Sequence, residues 1–167
     1  MARQRKIDKA RDENEAAAKA VASLVGAPRT YRKQAGPTVR KVEKMVVEMN
    51  AMRTSGDWSE ARPAHLVALY VWAHEQVYGV PAAELVGLNW LAAASASAKL
   101  VRDEFDNDPS IAVEFMRWTW KREKSREQWR RDNGKDGGRL TWRAQFQQRY
   151  VLTDYRIDQA RKARRGG

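Results

Sequence analysis

The chain has 167 residues and a formal charge of +11, a length expected for one domain that buries its own core. It contains no cysteine, which excludes a disulfide framework, a thiolate metal site and a thiol nucleophile and fits a cytoplasmic protein. No run approaches the ~18 consecutive apolar residues of a membrane span, and "MARQRKIDKARDENE" lacks a secretory signal's apolar stretch.

Apolar residues recur at steps of three and four, without sustained period-two alternation, so helix is predicted throughout. The expected fold is all-α, a compact bundle of about five to six helices. A basic, partly flexible N-terminal arm and C-terminal tail flank it. The expected divisions are an arm, peripheral helix and linker over 1–37, a single helical domain over 38–160, and a flexible basic tail over 161–167.

A first helix is predicted over 8–25, with a thin alanine face, stopped by Gly26 and Pro28. The linker "GAPRTYRKQAGPT" carries Arg29, Arg32 and Lys33, like the mobile basic arms that reach into a minor groove. Thr38 is the expected N-cap of a second helix to Arg53, with Val39, Val42, Val46 and Met49 as a seam for one partner. Trp58 reads as a lid on the core. The next helix, in "RPAHLVALYVWAHEQVYG", puts Leu66, Leu69, Tyr70, Ala73 and Val77 on one broad face, with Trp72 to one side. Pro81 is expected in the first turn of a fourth helix to Phe105, whose "LAAASASAK" permits close helix approach. Asp108 as N-cap and Pro109 at the first helical position open a fifth helix to Arg131. A glycine-rich loop follows. Thr141 is expected to cap a last helix whose Trp142, Phe146, Tyr150 and Ile157 share a face, with "RKARRGG" frayed beyond it.

Charge is segregated. Residues 1–53 hold 13 Lys/Arg against 6 Asp/Glu, residues 54–112 hold 3 against 8, and residues 113–167 hold 16 against 7. Cationic ends flanking an acidic centre point to a polyanionic partner or to an end-to-centre contact in an assembly.

The stretch "RWTWKREKSREQWRR", 117–131, sets three tryptophans among seven cations. At ~100° per residue from Ile111, Phe115, Trp118 and Trp129 fall within ~40° of it and form an expected core stripe. Arg117, Lys121, Lys124 and Arg131 fall on the far side, as does Trp120 at ~180°. An indole among cations suits nucleic acid, because cations pair with phosphates while the ring stacks on a base. The more ordinary role for Trp120 is packing beneath a neighbouring segment. Lys135, Arg139 and Arg143 extend the expected cationic surface through the loop into the last helix.

Several classes find little support. The third and fourth helices have the rhythm of a helix-turn-helix, but the second carries no Lys or Arg until Lys99. His65 and His74, nine residues apart on one helix, point about 180° apart and cannot share a metal from that helix. "DEFDNDP" lacks EF-hand spacing and reads as a helix end followed by an N-cap, and no phosphate loop, dinucleotide motif or nucleophile elbow occurs. No cofactor is implied. The alanine- and arginine-rich helical plan with a tryptophan-rich basic end resembles, in a general way, small accessory proteins of bacteriophages and mobile elements. No motif assigns a family.

The expected function is non-enzymatic binding of nucleic acid, DNA before RNA, directed at the backbone. The rival is an assembly or adaptor protein whose basic ends dock on acidic surfaces of its own copies or of a partner. In that case Trp120 and the Val39/Val42/Val46/Met49 seam would be interface anchors. No membrane partner is expected.

Overall fold

The computed structural model describes residues 37, 39–85 and 88–166. The expected first helix, the arm cations Arg29, Arg32 and Lys33, and Thr38 lie outside them. Over the described residues the fold is an all-α bundle of six helices. They are α1 (Val39–Ser55), α2 (Pro63–Tyr78), α3 (Leu88–Glu104), α4 (Pro109–Asp132), α5 (Trp142–Phe146) and α6 (Arg149–Gly166). None of these helices is long and apolar enough to cross a membrane.

α2 is the axis, packed against α1, α3 and α4. Its mostly apolar sequence is buried on every side from His65 to Val71, not on one broad face. Pro63 occupies its first turn, and Gly79 ends it in the left-handed region at φ 69°, its N–H bonded to the Glu75 carbonyl. A residue with a Cβ would be strained there. α1 packs through Val42 and Met49, both buried, which bears out two positions of the expected seam. His65 joins the two helices. Its Nδ1 accepts the Arg62 backbone N–H at 2.9 Å, which leaves Nε2–H to donate to Glu48 at 2.6 Å. The His65 hydrogen bond, assisted by Arg62, holds the Glu48 carboxyl below its ordinary range. Trp58 is buried as a lid.

α3 approaches α2 closely because Ala93 and Ser97 are small and fully buried, and Ser97 Oγ lies 3.2 Å from the Pro63 carbonyl. Its start differs from expectation. Pro81 lies in a short turn before Leu85, and the helix runs Leu88–Glu104, so Pro81 is not in its first turn. This longer connection also departs from a helix-turn-helix. Asp106 and Asn107 both take positive φ, 52° and 61°, a region short polar side chains tolerate. Asp108 then accepts the Ser110 N–H at 2.8 Å and caps α4, as the sequence predicts. Two other carboxylates of that stretch are paired, Asp103 with its neighbour Arg102 and Glu104 with Arg149 and Arg156 of the last helix. Among the described residues no cluster of His, Asp or Glu is placed to hold a metal.

The last helix is two helices. Thr141 caps α5 as predicted, but the chain breaks at Gln147–Gln148, whose N–H groups both bond the Arg143 carbonyl. α6 therefore starts in a new phase: Val151 and Leu152 are buried, whereas Tyr150 and Ile157 are exposed. The segment expected to fray from 161 is helical through Gly166.

Candidate functional site

α4 buries a different face from the one its largest rings suggest. Ala112, Met116, Thr119 and Glu123 turn inward with Phe115 and Trp120, while Ile111 and Trp129 are exposed. Trp120, the candidate stacking ring, is only 6% exposed and takes the more ordinary packing role instead. It sits edge-on to Tyr70, His74 and Tyr78, at centroid distances of 5.4, 6.2 and 5.9 Å. These three rings recur every fourth residue along α2 and make a stripe into which one indole fits. Trp120 therefore cannot stack on a base, and it cannot anchor a partner. The same holds for Val42 and Met49, buried within the chain.

The surroundings of Trp120 explain how the glycine-rich loop is fixed at its exit. Tyr70 Oη donates to the Leu140 carbonyl at 2.7 Å, and the Leu140 N–H donates to Tyr78 Oη at 2.7 Å. Two tyrosines on α2 thus satisfy both polar groups of one loop residue. Tyr78 in turn donates to Glu123 Oε2 at 2.7 Å, and Arg126 donates to Glu123 Oε1 at 2.8 Å. Glu123 is 5% exposed, and these two donors compensate its burial. Burial pushes the Tyr70 and Tyr78 phenols well above their ordinary range, because each would become an anion beside a glutamate. At the loop's centre Gly137 rests on Arg130, where any Cβ would collide with the guanidinium.

The expected cations divide into two groups. Arg117, Lys121, Lys124 and Arg131 keep one stripe along α4, at helical spacings of four, three and seven. Lys121 also lines a groove of about 720 Å³ between α4 and α6. No other expected cation among the described residues lines it. Arg131 bonds the Val77 carbonyl at 3.2 Å, at the C-terminal end of α2, and pairs with Glu127. Arg139 lies over the Tyr78 ring and Arg143 over the Trp142 ring, at 5.9 and 4.7 Å. Lys135 is exposed on the loop, its N–H bonded to the Arg130 carbonyl. Of the expected cations among the described residues, only Lys121 lines the α4–α6 groove, whereas Arg131 and Arg139 lie at the C-terminal end of α2.

The groove has members that the sequence reading missed. Arg122 and Arg126 line its α4 wall with Lys121, and Arg161 and Lys162 line its α6 wall. Two carboxylates face them. Asp154 pairs with Arg122 at 3.3 Å, and Asp158 pairs with Lys162 at 2.7 Å while accepting Trp118 Nε1–H at 2.9 Å. Lys162, helped by Trp118, holds the Asp158 carboxyl below its ordinary range. Five cations against two carboxylates leave the groove positive, and among the described residues Lys121 and Arg161 have no ion-pair partner. Trp118 forms part of the wall, packed against Tyr155 and covered by the Arg122 guanidinium at 4.6 Å. The missed signal was the α6 stripe Asp154, Ile157, Asp158 and Arg161, at helical spacing once its phase restarts at Arg149.

A second cleft of about 580 Å³ separates α3 from α5 and α6. It has a mixed lining, with Lys99 and Arg149 set against Asp103 and Glu104. Comparison of the chain with protein families, with curated proteins and with solved structures gave no match.

Proposed function

We propose that this protein binds nucleic acid through its sugar–phosphate backbone, in the cytoplasm, with the α4–α6 groove as the binding surface. The observation that carries this reading is the groove itself: two antiparallel helices present five cations to one concave surface. A phosphate chain can follow such a surface, and binding there releases condensed counterions. Arg117 and Lys124 lie on the α4 stripe of Lys121 and extend the positive field beyond the groove's edge. DNA ranks before RNA only by the sequence expectation. The adaptor reading loses support, because Trp120, Val42 and Met49 are enclosed by the chain's own core.

The test replaces Lys121 and Arg161 with Gln, and separately replaces Arg139 and Arg143 with Gln as controls off the groove. Affinity for a short labelled oligonucleotide is measured against salt concentration. Loss of two phosphate contacts should flatten the log–log salt slope by about 1.5 in the groove variant. The controls should leave it nearly unchanged. Equal slopes in both variants would remove the groove as the binding surface.

A further inference from the structure

The groove is chemically different at its two ends. Trp118 meets Asp158 and Arg122 meets Asp154, so α4 and α6 run antiparallel. One further turn sets Arg126 opposite Tyr150. Trp129 follows on α4, about 6 Å beyond Ser125 along the same stripe. It is 59% exposed, Tyr150 is 58% exposed, and neither ring meets another ring or a cation among the described residues. Ile157, also exposed, lies between this end and Arg161 on the α6 wall. Outside the lining of the positive groove, one turn beyond it on the same two helix stripes, thus stand two uncovered aromatic rings, and the other end of the groove carries Arg161 and Lys162.

We propose that the groove selects single-stranded over double-stranded nucleic acid, with Trp129, assisted by Tyr150, as the platform on which unpaired bases stack. This deepens the backbone-binding reading and rests on it. A duplex keeps its bases stacked inside and offers these rings little but sugar and phosphate, whereas a single strand offers free base faces. The arrangement is sequence-tolerant because every base has a π-face. Phosphates of the same strand are then drawn along Lys121 and Arg161, which no carboxylate of the described residues neutralises.

The experiment compares fluorescence anisotropy of a labelled oligothymidylate and a labelled duplex of equal length, at low salt, for the full chain and for Trp129→Ala and Trp129→Phe. Circular dichroism confirms the fold of each variant. The native chain should bind the single strand more tightly. Trp129→Ala should weaken single-strand binding by roughly 5- to 100-fold and duplex binding by less than about 2-fold, and Trp129→Phe should restore part of the loss. Tighter duplex binding by the native chain, or an equal loss on both probes in Trp129→Ala, would overturn the selectivity. If that happens while Lys121→Gln/Arg161→Gln still flattens the salt slope, the stacking platform fails and backbone binding stands. If neither substitution changes binding, both fail. Self-association that Trp129→Ala abolishes, with no change in oligonucleotide binding, would reassign the ring to a contact between copies and also overturn the proposal.

Discussion

The two sides of α4 use the same residue types in opposite ways. Trp120 and Glu123 face α2, where rings enclose the indole and two hydrogen bonds satisfy the carboxylate. Arg122, Arg126 and Trp129 face α6 or solvent, where cations outnumber carboxylates and an indole stands open. A tryptophan's role here follows from what the neighbouring helix offers it. α2 offers Tyr70, His74 and Tyr78 at a spacing that matches one ring, whereas α6 offers Tyr155 to Trp118 and nothing described to Trp129. Charge divides likewise: the buried face tolerates one carboxylate because it is fully bonded, and the groove keeps an excess of one sign.

The comparison can be broken most directly by removing the buried ring. Trp120→Ala is expected to cost about 3–5 kcal/mol of stability in urea unfolding, while Trp129→Ala should stay within about 0.5 kcal/mol. Similar losses would mean that the two sides of α4 are not distinct. Glu123→Ala comes next, at about 1–3 kcal/mol, because Tyr78 and Arg126 lose their shared acceptor in a buried setting.

The pH response sharpens the contrast. Tyr78 titrates higher folded than its ordinary value of 10.0, so the stability it contributes is complete below that pH and is lost as pH rises above it. Asp158 titrates lower folded than its ordinary value of 3.8, so its contribution is present above that pH and is lost as pH falls below it. Unfolding midpoints should therefore decline more steeply with alkali in the native chain than in Tyr78→Phe. The acid decline should be slightly shallower in Asp158→Asn. The smallest effect is expected for Gly137→Ala, a few tenths of a kcal/mol, since the colliding group is the far end of the Arg130 side chain. Unfolding measurements on that variant check how tightly the loop is seated.

Capping chemistry made much of the bundle legible. Asp108–Pro109 and Thr141 begin helices where local hydrogen bonding predicts, because an N-cap is satisfied by residues two or three positions away. The seam in α1 and the small residues of α3 were legible for a similar reason, since spacing along one helix fixes which side chains share a face. The phase of α4 was not. Ranking its residues by ring size selected Ile111, Phe115, Trp118 and Trp129, of which Phe115 is buried and Trp118 partly so, whereas the buried face also contains Ala112, Met116 and Thr119, sized to a neighbour that the wheel cannot include. The groove was hidden for two reasons. Two of its five cations lie on α6, and the Gln147–Gln148 break rephased that helix, leaving Tyr150 and Ile157 on the surface instead of on one face with the buried Trp142 and Phe146.

The sequence by itself determined an all-helical chain with positive ends, a neutral-to-acidic centre and several helix starts, because these depend on composition and on contacts within one or two turns. Only the tertiary structure decided that Trp120 is enclosed and Trp129 open, and that α6 completes a groove against α4. A side chain's exposure depends on partners distant in sequence, whose identity and angle no single-helix periodicity encodes.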